Sequence, residues 1–471
     1  MHQENAPKVK IGLEVHCQLT ALKTKLFCRC SSDYRSSEPN EKVCPVCFGL
    51  PGTLPVLNAK AAEHAAMIAL ALNCRLSGRS LFYRKNYFYP DLPKGFQISQ
   101  YDKAGGVPIA SSGYVEVEGK KVRITRIQLE EDPGKLTYEG TIDKSTHSLV
   151  DYNRAGIALV EILTEPDIED AREAKMFLER LRSTIESLGV SNGELDGAMR
   201  CDANISLAGG ARVEVKNISS FKEVEKALNY EILRQRTFSG AASSETRHWD
   251  ERRSITIALR SKEEEQDYRY FPEPDLPPVL LDESAVSKVR TSMPEVSEAR
   301  ATRYVRDFGL SPQLAKELAA SKGLSAFFDS CAKLDDGYRE MAGLIVGTIS
   351  ADEASGENPP TPEEFVDLVR SVESGSITRA QAKEALREAI RAKVPVEDVI
   401  RRRGLSAIDD EDAIAAIVDR IVSTMPDTLA QAQGDKKAFS YLVGQVIKAE
   451  PKAQPGVVAK LLSQRLRSKK T

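Results

Sequence analysis

Four cysteines in two close pairs, Cys28-x-Cys30 and Cys44-x-x-Cys47, constrain this chain more than any other feature. Thiolates brought together in twos can close a tetrahedral shell around Zn²⁺. The second pair lies in Val43-Cys44-Pro45-Val46-Cys47-Phe48-Gly49, a turn-rich knuckle. Asp33, Ser36 and Ser37 between the pairs suit a polar loop. The first pair is tighter than the usual zinc spacing. The competing reading is buried or oxidised cysteine without metal. Zinc is the expectation, and a structural one, because four thiolates leave no open position for a substrate. The chemistry must therefore lie elsewhere.

At 471 residues the chain exceeds one average domain, and two to four are expected. A hydrophobic share of 41% and a charged share of 29% describe a soluble globular protein. No apolar run approaches the ~20 residues of a membrane span, and Met1 to Lys10 lacks the apolar core of a signal peptide. Eight cysteines, four of them in metal spacing, fit a reducing, cytoplasmic setting. The net charge of -3 gives no global positive field, so nucleic-acid binding has to rest on local patches.

The first part, to about Leu281, reads as strands with a few helices. Ile11, Leu13, Val15, Cys17 and Leu19 alternate with Gly12, Glu14, His16 and Gln18, a half-buried strand with one polar face. Residues 200–218 read as a hairpin turning at Ala208-Gly209-Gly210-Ala211. Cys201, Ala203, Ile205 and Leu207 face one way; Arg200, Asp202, Asn204 and Ser206 face the other, and Arg212, Glu214 and Lys216 return on one face. Helices are predicted near 168–188, stopped by Gly189, and from Ser220, where Ser220-x-x-Glu223 fits a capping box. The proline-rich run from Tyr268 to Pro278 is extended, because proline removes donors and fixes φ. After about Val286 strand signals nearly vanish, and amphipathic helices are predicted near 297–308, 311–321, 324–333 and 337–349. Gly356 to Pro362 reads as a linker or loop. The last helix, about Pro455–Arg467, and the residues after it carry Lys460, Arg465, Arg467, Lys469 and Lys470.

Glu14 and His16 share one strand face, about 7 Å apart, close enough to ligate an ion; a merely solvated face is the competing reading. Glu130-Glu131-Asp132 ends a strand in three consecutive acids, a costly cluster unless solvated or bound to a cation. Glu161 stands inside the apolar run Ile157 to Leu163, where an unpaired charge is expensive. A hard cation such as Mg²⁺, held by oxygen ligands, answers both. The hairpin face, with Arg200, Asp202, Asn204, Arg212, Glu214 and Lys216, is either a salt-bridge lattice or a sheet offering carboxylates to metal and cations to phosphate. There is no Gly-x-x-x-x-Gly-Lys-Ser/Thr loop, no Gly-x-Gly-x-x-Gly after a strand and no Gly-x-Ser-x-Gly elbow. A Gly/Ser-rich amidase loop is missing too.

Taken together, several segments resemble the B subunit of the aspartyl/glutamyl-tRNA amidotransferase, the GatB family. They are Ile11-Gly-Leu-Glu-Val-His16, the four cysteines with Cys44-Pro-Val-Cys47-Phe-Gly-Leu-Pro-Gly52, Arg84 to Gln97, Leu129-Glu-Glu-Asp-Pro-Gly-Lys135, Asp151-Tyr-Asn-Arg-Ala-Gly156, Met199-Arg-Cys-Asp-Ala-Asn204, Glu214-Val-Lys-Asn217 and Tyr268 to Asp275. Gln445 to Leu462 resembles the family's YqeY-like tail. The resemblance implies an α+β chain. Residues 1–290 would form a twisted antiparallel sheet domain, a glutamine-synthetase-like cradle with the zinc knuckle at 28–47. A helical linker domain (291–400) and a helical, tRNA-binding YqeY-like tail (401–471) would follow.

The implied activity is an ATP-dependent carbon–nitrogen ligation. The side-chain carboxylate of Glu-tRNA(Gln) or Asp-tRNA(Asn) is phosphorylated, and ammonia then displaces phosphate. The ammonia comes from glutamine cleaved by the partner glutaminase, GatA, within a heterotrimer that also holds GatC. That agrees with the missing amidase loop here. Carried onto this chain, the resemblance makes Glu14, His16, Glu131 and Glu161 the ligands or orienters of Mg²⁺, with Glu130 the lesser member of its pair. His16 either contacts the metal or orients a water. Arg154, Asp202 and Lys216 are assigned to phosphate or aminoacyl contacts, and Cys28, Cys30, Cys44 and Cys47 to zinc. Pro133 departs from the small residue the family pattern leads one to expect there. Two alternatives stand: a lone glutamine-synthetase-like amide ligase for a small acid, and a noncatalytic zinc-containing RNA-binding scaffold.

Overall fold

The strand Val9–Gln18 lies in the middle of a nine-stranded sheet and shows why the chain folds as it does. Ile11, Leu13, Val15 and Cys17 are fully buried on one side, while Glu14 and His16 on the other are half-buried. Side chains alternate across a strand, so one segment supplies core and site together. The computed structural model describes residues 8–138, 145–207, 210–237, 244–261, 267–349, 360–405, 411–432, 435–450, 453 and 455–468. The chain divides into two compact units, Met1–Val296 and Ser297–Thr471.

In the first unit the sheet runs Ile255–Ser261, Glu245–Asp250, Val213–Ile218, Met199–Leu207, Val9–Gln18, Ala158–Thr164, Lys120–Glu131, Ala110–Val117, Arg75–Leu76. Neighbours are antiparallel except Val213–Ile218 and Glu245–Asp250, which are parallel. A parallel pair needs a crossover, and the helix Phe221–Thr237 supplies it. That helix, Ala59–Ala71 and Ala171–Ser187 share one apolar core with the sheet, through residues such as Ile68, Phe177, Leu181 and Leu228.

Local chemistry sets the helix ends. Asp170 accepts the Glu173 amide at 2.8 Å to cap Ala171–Ser187. Ser220 accepts the Glu223 amide at 3.3 Å, but the reciprocal half of the expected capping box is not what Glu223 makes. Its carboxylate instead takes the Trp249 indole N–H at 2.9 Å and the Lys226 ammonium at 2.7 Å. The 200–218 hairpin pairs in antiparallel register as Met199–Leu207 and Val213–Ile218; residues 208 and 209 of its turn lie outside the described residues. In the proline-rich segment, Phe271–Pro272 pairs with Tyr83–Asn86.

The second unit is helical among its described residues. Ser297–Phe308, Pro312–Ala320, Lys322–Cys331 and Tyr338–Thr348 come first, then Pro362–Glu373, Arg379–Ala392 and Val396–Arg403. Their apolar cluster runs from Tyr304 to Val399. A separate cluster, from Ile414 to Leu462, belongs to the last four helices, Glu411–Thr424, Pro426–Gln431, Lys436–Ala449 and Pro455–Ser468. Residues 356–359 of the expected linker lie outside the described residues, as do the Arg467 side chain, Lys469 and Lys470.

Candidate active site

The sheet register builds a grid of polar residues on the face opposite the helices. His16 lies between Arg200 and Glu161, and Glu14 between Asp202 and Leu163. Gln128 pairs with Glu161, while Glu130 pairs with Leu159, the neighbour of Gln18. Cross-strand partners on one face stand about 5 Å apart, so residues distant in sequence converge.

The His16 Nε2 atom is 3.6 Å from Glu14 Oε1, 3.6 Å from Glu161 Oε2 and 3.9 Å from Glu130 Oε1. Glu14, His16 and Glu161 can offer ligand atoms within 4.8 Å of one another. Burial alone would lower the imidazole, but its bond to Glu161 and the charges of Glu161, Glu130 and Glu14 outweigh that and lift it to about 9. Burial raises the Glu130 carboxyl to about 7, and Glu161 adds to the rise. Burial also raises Glu14, again with Glu161. At Glu161 burial acts upward too, yet His16 and Arg126 win and hold it below the ordinary range. Three carboxylates around one imidazole concentrate more negative charge than a single proton neutralises. Oxygen ligands with one nitrogen suit a hard divalent cation.

Glu131, the expected ligand, does not join this cluster. Its side chain accepts the Lys94 ammonium at 2.5 Å and the Ile98 amide at 2.9 Å, and so leaves the His16 face. It borders a cavity of about 230 Å³ shared with Lys94, Arg84, Glu273 and Cys47. Glu130 faces His16 instead, its Oε1 3.9 Å from Nε2 and its Oε2 held by the Ser99 hydroxyl at 3.0 Å. Parity carries this assignment: Ile127 and Leu129 point to the core, so Gln128 and Glu130 point to the polar face. Arg154 also turns away. It donates to the Pro133 carbonyl at 2.9 Å and the Gly134 carbonyl at 2.7 Å, so it pins the loop in which Pro133 stands. Asp202 and Lys216 do lie on the grid; Lys216 bridges Asp202 and Glu214, each at 2.9 Å.

Further residues border the grid that the motif reading did not single out. Arg126 is 3.8 Å from Glu161 and 3.4 Å from Asp102. Tyr101 and Tyr270 stack at 5.0 Å, and Lys85 lies 4.9 Å from the Tyr268 ring. The Tyr270 hydroxyl is pushed up by burial, with Tyr101, Tyr268, Glu130 and Glu161 adding.

The four knuckle cysteines also converge. Cys47 Sγ lies 3.3 Å from Cys28 Sγ, 3.6 Å from Cys44 Sγ and 3.6 Å from Cys30 Sγ. A Zn–S bond near 2.3 Å gives a tetrahedral edge of about 3.8 Å, so the set fits zinc closely; none of the four forms a disulfide. The Cys47 thiol is held down to about 4 by its bond from Cys28, with help from Lys25. Lys25 is fully buried, 3.6 Å from Cys47 Sγ, and a buried ammonium needs such an anion.

The loop between the cysteine pairs reaches the segment that carries Arg154. The Asn40 amide donates to Asp151 at 2.9 Å, the Lys42 amide to Asn153 at 2.7 Å, and the Asn153 side chain to the Glu38 carbonyl at 2.7 Å. Phe48 of the knuckle packs edge-on against Tyr152 at 5.3 Å.

Comparison with known proteins covers both units. The GatB/GatE catalytic domain family matches residues 9–287, and the GatB domain family matches residues 327–466. A Sulfurisphaera tokodaii protein, named as the B subunit of aspartyl/glutamyl-tRNA(Asn/Gln) amidotransferase, is 44% identical over 470 residues, covering 96% of this chain and 99% of that protein. Its namesake from Methanosarcina barkeri is 43% identical over 480 residues, covering 95% and 96%. That from Thermotoga maritima is 43% identical over 478 residues, covering 96% and 98%. Among the described residues no helix is long and apolar enough to cross a membrane.

Proposed function

This chain belongs to the GatB family, the B subunits of the tRNA-dependent amidotransferase, and from that premise we propose that the His16 face activates the carboxylate of a misacylated tRNA. The substrate is Glu-tRNA(Gln), Asp-tRNA(Asn) or both. The side-chain carboxylate oxygen attacks the γ-phosphorus of ATP, ADP departs, and an acyl phosphate forms. Ammonia then attacks the carbonyl carbon, and phosphate leaves with the C–O electron pair, giving Gln-tRNA or Asn-tRNA. Phosphoryl transfer asks for positioning and charge neutralisation more than for a protein nucleophile.

The convergence of Glu14, Glu130 and Glu161 on His16 carries this reading. These four residues would hold Mg²⁺, which when bound neutralises developing phosphate charge. Lys216, held between Asp202 and Glu214, keeps a cation on the same face for phosphate or aminoacyl oxygens. The tyrosine wall offers ring faces on which a base can stack. Cys28, Cys30, Cys44 and Cys47 would hold structural zinc. Ammonia would come from a partner glutaminase, GatA, with GatC completing the complex.

We also propose a three-part division, 1–290, 291–400 and 401–471, with the last part touching tRNA. The separate apolar cores of residues 304–399 and 414–462 support splitting the helical unit. Arg465 is engaged with Asp419 at 2.6 Å, an exposed pair that a phosphate could displace. Deleting residues from 401 onward is expected to weaken tRNA binding in a salt-dependent way and to spare glutaminase activity. Unchanged tRNA affinity across salt concentrations removes this assignment.

The central test is amide formation on Glu-tRNA(Gln) and on Asp-tRNA(Asn), with ATP, Mg²⁺ and ammonium chloride, with GatA and GatC added or withheld. Gln-tRNA or Asn-tRNA is expected, and it should disappear in Glu161→Gln. Turnover of free glutamate without tRNA, or full activity in Glu161→Gln, overturns the reading.

A further inference from the structure

Asp132 is the most enclosed carboxylate near the grid, its side chain wholly shielded from solvent. Its backbone is fixed on both sides: its N–H donates to the Ile157 carbonyl and its carbonyl accepts from the Gly156 amide, each at 2.9 Å. Gly156 there has φ +84, a left-handed conformation that suits glycine. The Asp132 carboxylate accepts the Gln18 amide at 2.6 Å on Oδ2 and the Arg200 guanidinium at 2.8 Å on Oδ1. Gln18 is itself held by Arg35, whose Nη2 donates to its Oε1 at 2.6 Å. Arg35 comes from the loop between the cysteine pairs.

Two arginines approach Asp132, and their commitments differ. Arg154 lies 3.8 Å away with two nitrogens already given to the Pro133 and Gly134 carbonyls. Arg200 gives one nitrogen to Asp132, and among the described residues its other guanidinium donors have no protein acceptor. Its side chain is one-third exposed (33%), and it is the cross-strand partner of His16. A guanidinium has five donors in a fixed fork, suited to phosphate oxygens.

Resting on the phosphoryl-transfer reading above, we infer that Arg200, rather than Arg154, meets the non-bridging oxygens of the transferring phosphoryl group. Asp132 is then a positioning residue that sets the guanidinium beside His16. The buried carboxylate fixes one nitrogen of the fork and leaves the others to the ligand. Gln18 and Arg35 brace that carboxylate from the knuckle side.

The test uses the full chain in its complete complex, with Glu-tRNA, Mg-ATP and ammonium chloride. Arg200→Ala is expected to lower kcat roughly 10²-fold to 10³-fold, with the KM for Glu-tRNA within about twofold. Arg200→Lys should recover roughly tenfold of that loss, since it restores charge without the fork. Asp132→Asn should lower kcat by about 10-fold to 100-fold, and combining it with Arg200→Ala should cost nothing further, as for groups acting as a unit. A structural role for Asp132 alone would instead multiply with Arg200→Ala and lower the melting temperature without a selective loss of kcat. If Asp132→Asn does not fold, the Arg200 pair of variants decides alone. Wild-type kcat in Arg200→Ala, with Glu161→Gln inactive, overturns this inference and leaves the underlying function standing. Absence of tRNA-dependent phosphoryl transfer in the wild type overturns the underlying function itself.

Discussion

The cysteine knuckle and the His16 face are both built to gather ligand atoms, and they do it in opposite ways. The knuckle draws four soft sulfurs from residues 28–47, with Sγ atoms as close as 3.3 Å and a buried lysine beside them. The face draws hard oxygens from three adjacent strands, with Glu14, Glu130 and Glu161 spread across the first unit. The knuckle offers four sulfurs and no open position, so a metal held there would only hold structure. The face is bordered by the partly exposed Arg200 and Lys216, so a cation held there, as proposed above, would keep positions for a substrate. One site is defined by loop spacing and the other by strand register.

The largest effect that would sharpen this contrast is at Glu161. Glu161→Gln should reduce amide formation in the complete complex by about 10³-fold, roughly 4 kcal/mol of transition-state stabilisation. The zinc content should not change. The neighbouring acids should separate: Glu130→Gln should approach the Glu161 loss and weaken Mg²⁺ binding, whereas Glu131→Gln should leave Mg²⁺ affinity intact. Titration of Mg²⁺ against each variant by calorimetry distinguishes them. Equal Mg²⁺ affinity in Glu130→Gln and wild type would falsify the assignment of Glu130 to the ligand set.

The next effect concerns the knuckle. Cys44→Ser should lose zinc and about 3 kcal/mol of stability, lowering the melting temperature of the first unit by roughly 6–12 °C. It should also loosen the Asp151–Gly156 segment, because Asn40 and Lys42 hold Asp151 and Asn153 from the loop between the pairs. Hydrogen exchange at residues 151–156 reads this directly. Full protection there in the zinc-free variant would show that the knuckle and the segment are independent.

These two sites also differ in how far the sequence alone revealed them. The cysteines were legible because their spacing is local and thiolates in that pattern have few other uses. Glu14 and His16 were legible as one strand face, and Glu161 as a charge in an apolar run. The helices Ala171–Ser187 and Phe221–Thr237 and those from Ser297 to Thr348 followed from periodicity, capping residues and Gly189, whereas the alanine-rich Ala59–Ala71 and Glu283–Ser292 were not read from the sequence. The choice between Glu130 and Glu131 was open to the same parity argument, since Leu129 fixes which neighbour faces the core. The resemblance to a family motif favoured Glu131, which the strand's alternation turns toward Lys94. Arg200 and Arg154 look alike in sequence. Only the tertiary hydrogen bonds show Arg154 spent on carbonyls and Arg200, among the described residues, giving a single nitrogen to a protein acceptor. Partner choice across strands depends on register, which no single segment encodes.

The smallest effect is one of pH, and it separates the sites by their protons. In the Mg²⁺-free protein the folded state raises His16 to about 9 from its ordinary 6.5, and Glu130 to about 7 from its ordinary 4.5. Both groups bind their proton more tightly folded than unfolded, so stability falls as pH rises through these values. The Glu130 contribution disappears between about 4.5 and 7, and the His16 contribution between about 6.5 and 9. A divalent cation competes with the same protons, so the melting-temperature increment from added Mg²⁺ should grow between roughly pH 6 and pH 9. The measurement is thermal unfolding with and without Mg²⁺ and no chelator, so that any metal held by the knuckle is undisturbed. His16→Gln and Glu130→Gln each should flatten the dependence, while Glu131→Gln should leave it unchanged. An Mg²⁺ increment that is constant with pH would mean that the cation does not displace these protons, and that the two regions do not differ as hard-ion and soft-ion sites.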